Sequence, residues 1–150
     1  MIATSVAYDL VFLVHILSAV TAMIVFVAMR SSARTVTSGA DAATQRARFP
    51  NRPNWAARVL HLLPVTGLIM SLSGDRSVSL TRPWIGFGIL CYLAAAGHLE
   101  ARTLPLERVV GEVIAHEGVA SPERGRKLVM SIDALLAIVA VAFVTMLVQF

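Results

Sequence analysis

YDLVFLVHILSAVTAMIVFVAM, residues 8–29, carries one carboxylate near its start (Asp9), one histidine inside it (His15), and is closed by Arg30. At 1.5 Å of rise per residue such a run reaches across a hydrocarbon core of about 30 Å. It reads as a membrane span and not as a cleavable signal peptide, because the apolar stretch is too long and lacks a basic n-region. The composition around it agrees. The chain is 57% hydrophobic and 15% charged, with a mean hydropathy of +0.73, which lies outside the range of soluble globular domains. A single cysteine, Cys91, sits in an apolar run, so the chain carries no disulfide framework and no CxxC metal motif.

Three further apolar runs follow, at residues 55–73, 83–99 and 128–150. The expected fold is a single all-α domain, residues 1–150, built as a four-helix transmembrane bundle. The two middle spans are short, so they are expected to run near the membrane normal or to draw on snorkelling flanks. Charge sets the orientation. Arg30, Arg34, Arg46, Arg48, Arg52 and Arg58 lie in or beside the first loop, and Arg102, Arg108, Arg124, Arg126 and Lys127 in the third. Only Arg76 and Arg82 fall on the other side. The positive-inside rule then places loops one and three in the cytoplasm and both termini outside. The formal charge of +4 is thereby a topology signal. No aromatic-interleaved basic patch points to nucleic acid.

The two basic loops differ in character. Loop one, residues 31–54, is rich in Ser, Thr, Ala and Arg and ends in FPNRPNW, where two prolines favour extended or turn backbone before the interfacial anchor Trp55. In loop three, EARTLPLERVVGEVIAHE (residues 100–117) spaces Leu104, Val109, Val113 and Ile114 among charges. It reads as a cytoplasmic extension of the third helix or as an amphipathic segment at the surface. Gly118 is expected to end it, and SPER (residues 121–124) to start the fourth helix with Pro122 at its first position.

Orientation gives each polar side chain a depth. His15 lies about 10 Å below the outer edge, with Asp9 above it. His61 and Asp133 each lie about one and a half turns from the inner edge, and His98 ends the third helix beside Glu100. The expectation is an inner polar cluster of His61, His98, Asp133 and Arg58, with His15 apart. Ionisable groups inside a membrane are costly enough to be functional candidates. Asp133 is either a proton-relay or ligand-orienting carboxylate, or one half of a hydrogen bond or ion pair with His61, His98 or Arg58 that locks helix register. His61 and His98 are candidate axial ligands of haem b or copper ligands, or interhelical hydrogen-bonding groups. Small residues one and two turns from each polar group (Ser18, Ala19 and Ala22; Cys91, Ala94 and Ala95; Ala137 and Ala140) place those faces inside the bundle. Pro64 is expected to kink the second helix.

HILSAV (residues 15–20), LPVTGL (residues 63–68) and RPWIGFGILCYL (residues 82–93) resemble segments of an uncharacterised bacterial four-helix membrane family. That family is similar to copper-resistance CopD-like proteins and HemJ-type protoporphyrinogen oxidases. The resemblance implies His15 as a haem ligand candidate. The only lysine, Lys127, stands in a loop, and an aromatic-glycine continuation after the histidine is missing, both unlike HemJ-type enzymes. In type the chain is also similar to small accessory subunits of actinobacterial cytochrome bcc–aa3 supercomplexes, including an association factor. Three functions follow as expectations. The first is a non-catalytic accessory or assembly subunit of a larger membrane complex, contacting lipid and other integral membrane subunits, with no cofactor of its own. The second is a haem- or copper-binding redox protein using His15, or His61 with His98. The third is a small transporter or proton conductor with Asp133 as its titrating group.

Overall fold

In the computed structural model, residues 2–50, 52–72 and 82–148 are described. Arg76, the last residue of the second expected span and the final two of the fourth lie outside them. The described residues are predominantly helical, with no strand among them, and four of the helices are long and apolar enough to cross a membrane. They form an all-α four-helix bundle in which α1 (Ile2–Thr37) supplies the first span and α6 (Pro122–Val148) the fourth. The second span joins a 3₁₀ segment, Trp55–His61, to α3 (Leu62–Leu72). The third is α4 (Pro83–His98), running through a π-turn, Leu99–Thr103, into α5 (Leu104–Glu117). A short α2 (Ala42–Arg48) lies between the first and second spans.

Backbone geometry resolves the length problem of the second span. Seven 3₁₀ residues rise about 2 Å each and the eleven of α3 about 1.5 Å each, giving about 30 Å in all. That matches the hydrocarbon core without snorkelling. Pro64 does not interrupt a helix midway. It falls in the first turn of α3, where its missing N–H leaves no bond unmade, so the change of helix type at His61–Leu62 stands where a kink was expected. The third span overshoots instead. Its 35 continuous residues extend about 50 Å, so α5 is the extension of the third helix and projects past the bilayer.

The π-turn has an identifiable cause. Pro105 has no N–H, and in an unbroken α-helix its ring would collide with the carbonyl of Ala101. The chain widens by one residue, and the Leu104 N–H reaches back five residues to the Leu99 carbonyl. Downstream, Gly118 closes α5 at φ 88°, donating to Ile114 O at 3.0 Å. Pro122 opens α6 as expected from SPER.

α1 and α6 are the central antiparallel pair, α3 packs on α1, and α4 packs on α6. No extended backbone packing joins α3 to α4, so the fourth side of the bundle is held mainly by side chains. Packing is concentrated at the arginine-rich end. The largest fully buried side chains, among them Phe26, Leu60, Leu99, Ile114, Leu128 and Leu135, all lie in that half. The opposite half presents Leu10, Leu13, Leu17, Leu68, Leu90 and Val144 outward, an apolar surface for lipid. Ser18, Ala22, Cys91 and Ala95 are buried, as their small size suggested. Ala94, Ala137 and Ala140 are exposed instead. The buried stripe of α6 runs through Leu128, Ile132, Leu135 and Val139, which leaves Asp133 one position off it.

Loop one is mostly helical up to Arg48, and the described residues of its FPNRPNW end, Pro50 and 52–54, are non-helical as the prolines suggested. α1 continues to Thr37 because Ala33 and Val36 extend the buried stripe of Ala22, Phe26 and Met29 at three- and four-residue spacing. Gly39, at φ 70°, then turns the chain. Asp41 caps α2 by accepting from the Thr44 N–H at 2.9 Å, and that backbone bond, with the Thr44 hydroxyl, holds its carboxyl below the ordinary range. Ala33, Val36, Phe49, Leu104, Val110, Ile114 and Ala120 pack into one cap that is continuous with the core of the bundle. Gln45, 1% exposed, fastens it. Its Nε2 donates to Ala40 O at 2.9 Å, and its Oε1 accepts from the Ala120 N–H at 2.9 Å, tying loop one to loop three.

Two contacts of this packing are testable by thermal unfolding in detergent. A Cβ on Gly125 would lie 2.6 Å from the Thr37 backbone nitrogen, an atom that cannot swing aside. Gly125→Ala is expected to destabilise by about 1–3 kcal/mol. Gly111→Ala, where a Cβ meets nothing within 4 Å, should be neutral or stabilising by up to about 1 kcal/mol. Gln45→Ala strands the buried Ala120 N–H, and a loss of about 1–3 kcal/mol is expected.

Candidate functional site

The inner polar residues do not form one cluster. The structure sorts them into separate bridges, each crossing a different helix pair near the arginine-rich end. Asp133 pairs with Arg30 of α1 and not with His61, His98 or Arg58. Arg30 Nε donates to Asp133 Oδ1 and Nη2 donates to Oδ2 at 3.1 Å, a bidentate arrangement. The reason is antiparallel pairing: α1 and α6 run side by side, which puts the residue closing the first span level with Asp133. With side chains 30% and 43% exposed, the pair sits at the rim of the bundle, where its Coulomb attraction is screened. It sets register more than it adds stability.

Arg58 and His61 meet across the seam between the second and third spans. Arg58 donates from Nε and Nη2 to Glu100 at 3.0 and 3.1 Å. His61 Nε2 lies 3.2 Å from Glu100 Oε1 and Nδ1 lies 3.0 Å from the Tyr92 hydroxyl. A carboxylate only accepts, so Nε2 carries the proton, and in the neutral ring Nδ1 accepts from Tyr92. Both ring nitrogens are thereby occupied. The Arg58 guanidinium also lies 4.8 Å over the ring of Trp55, which is 69% exposed and marks the interface level. Sequence reading placed Glu100 beside His98 and missed its role as common acceptor. Tyr92, at mid-helix, was missed entirely.

His98 turns away from His61 toward α6. Its Nε2 donates to Ser131 O at 2.9 Å and lies 3.1 Å from Ser131 Oγ, which lies 2.9 Å from Thr103 Oγ1. A carbonyl cannot donate, so here too Nε2 is the protonated nitrogen. This bridge joins the third and fourth spans, with Thr103 delivered by the π-turn. His61 and His98 therefore address different helices.

His15 stands apart in the opposite half, as expected. Its Nδ1 lies 2.7 Å from Thr66 Oγ1, and the Thr66 hydroxyl lies 2.8 Å from the Leu62 carbonyl. Both contacts are satisfied together only if Nδ1 carries the proton, which leaves the Nε2 lone pair without a partner among the described residues. Gly67 faces the ring, and a Cβ there would stand in ordinary van der Waals contact with His15 Cε1, at 3.6 Å. This bridge fastens α3 to α1. Ser18, one turn on, is buried and bonds its own helix at Val14 O. His15, His61, His98, Asp133 and Arg58 thus each have a protein partner on another helix.

A further polar link lies in the cap, beyond the bilayer-crossing part of the third helix. Asn54 Nδ2 donates to Glu107 Oε1 at 2.9 Å while Asn54 Oδ1 accepts from the Ala57 N–H. Burial pushes the Glu107 carboxyl above the ordinary range, and the Asn54 bond offsets this only in part. No family model, curated protein or solved structure matches this chain.

Glu107 gives a pH-dependent expectation. Its folded-state value is raised, so folding disfavours its charged form. The penalty is absent below the unfolded-state value, grows as pH rises through the folded-state value and is complete above it. Glu107→Gln keeps the acceptor for Asn54 and removes the charge. The variant should melt higher than the parent at neutral pH and close to it near pH 4; equal melting at both pH values would contradict the burial argument.

Proposed function

We propose that this chain is a non-catalytic accessory or assembly subunit of a larger integral membrane complex, of the respiratory cytochrome bcc–aa3 type. Its basic cap faces the cytoplasm of a bacterial cell, and both termini lie outside. The observation that supports this is the use to which the polar groups are put. His15, His61, His98, Asp133, Arg58 and Glu100 each bond a side chain or carbonyl on a neighbouring helix. They lock a frame, while the outer surface is apolar on the spans and charged on a tightly packed cap. A rigid frame with a lipid-facing wall and a basic, folded platform is suited to docking against other membrane subunits.

A second reading, a haem- or copper-binding redox protein, is favoured by one observation. His15 donates from Nδ1 to Thr66, and its Nε2 has no partner among the described residues, the arrangement in which a second partner orients an imidazole ligand. The two are separable. Purification of the tagged chain from native membranes in mild detergent is expected to recover an assembly far larger than 16.1 kDa, with haem spectra that belong to co-purifying subunits. A partner-free species overturns the accessory reading. A Soret band in the isolated chain that is lost on His15→Ala establishes the redox reading in its place.

A further inference from the structure

The second and third spans are consecutive in the chain, yet no extended backbone packing joins α3 to α4. In the membrane α3 rests on α1 and buries only Thr66 and Met70. Below the Asn54–Glu107 bond of the cap, the polar contacts that cross the seam to the third span come from four side chains. Glu100 is the common acceptor, taking Arg58 Nε at 3.0 Å, Arg58 Nη2 at 3.1 Å and His61 Nε2 at 3.2 Å. Tyr92 adds a contact to His61 Nδ1 at 3.0 Å, with the rings edge to face. The backbone departs from α-geometry on both sides of this contact. Arg58 and His61 lie in the 3₁₀ segment, and Glu100 lies in the π-turn. A 3₁₀ stretch inside a longer helix often marks a hinge, and π-turns concentrate at functional positions. The side chains are 35%, 36% and 39% exposed for Arg58, His61 and Glu100, within reach of solvent and headgroups.

We propose that the Arg58–His61–Glu100–Tyr92 group is a releasable latch, and that loss of the Glu100 contact lets the second span separate from the third while it stays seated on the first. The charged groups nearby are already committed. Arg30 and Asp133 hold each other between the first and fourth spans, and Glu107 is bonded to Asn54 in the cap. None of them substitutes for Glu100. The joints of the other three sides are independent of it: His15–Thr66 between the first and second spans, Arg30–Asp133 between the first and fourth, and His98–Ser131 between the third and fourth. Release therefore opens one side of the bundle and leaves three closed. The inference does not depend on the accessory-subunit reading.

Distance measurement across the seam tests it. Spin labels on Val65→Cys and Leu93→Cys, both at exposed positions, in a Cys91→Ala background, report the separation by double electron–electron resonance in lipid nanodiscs. The parent is expected to give one narrow distance. Glu100→Gln is expected to add a longer population, and the exchange of Arg58→Glu with Glu100→Arg to remove it. His61→Gln and Tyr92→Phe each delete one strand of the latch and supply the same reading if Glu100→Gln fails to fold. An unchanged distance in Glu100→Gln, or in both single-strand variants where that protein is unfolded, overturns the proposal. So does a parent distribution that already contains the longer population.

Discussion

A polar group in hydrocarbon has no water to turn to, so its partner must come from the protein. The architecture of this bundle follows from that constraint. The three histidines of the spans and Asp133 are each met by a group on a different helix. His15 finds Thr66, His61 finds Glu100 and Tyr92, His98 finds Ser131, and Asp133 finds Arg30. Each pairing fixes one side of the bundle, so together they specify the order of the helices around it. Apolar contact between long helices in lipid is permissive about register, because lipid tails are as apolar as leucine. The polar pairs remove that freedom.

The distribution of packing gives the molecule two characters. In the half away from the arginines, large apolar side chains face outward and the helices touch through few buried residues. Toward the arginines the core tightens, passes through the level of Trp55, and continues into a cap built from the ends of α1, α2, α5 and the start of α6. Past the bilayer the hydrophobic effect operates again, so burial of Val36, Phe49, Val110 and Ile114 stabilises the cap as it would a soluble domain. Gln45 does in this cap what the histidines do in the membrane: it bonds two chain segments that share no regular hydrogen-bond ladder.

Most of the fold was legible in the sequence because the apolar runs are long and the arginines are partitioned. Gly118 and Pro122 marked the ends of α5 and α6 for plain stereochemical reasons. The helical part of loop one was obscured by its small and hydroxylated residues, although Met29, Ala33 and Val36 carry on the stripe begun at Ala22. The pairing of polar groups was harder. Depth counted at a uniform 1.5 Å per residue misplaces any group beyond a 3₁₀ or π segment, and both kinds stand beside the polar residues here. Assigning Arg30 to a loop hid the natural partner of Asp133. Gln45 offered no signal, since an amide among Thr, Arg and Ala on a seven-residue helix looks solvated until the opposing hairpin is in place.

The single added residue of the π-turn has a consequence for how the third helix can vary. Upstream, Cys91, Ala95 and Leu99 are turned into the bundle; downstream, Thr103, Val110 and Ile114 are turned into the cap. One α-helix held in strict 3.6-residue phase would drift out of alignment between these two cores. The widened turn at Leu99–Thr103 resets the phase between them. Length and angle are therefore coupled between His98 and Leu104: gaining or losing one residue there would amount to a rotation of about 100° between a membrane domain and its cap.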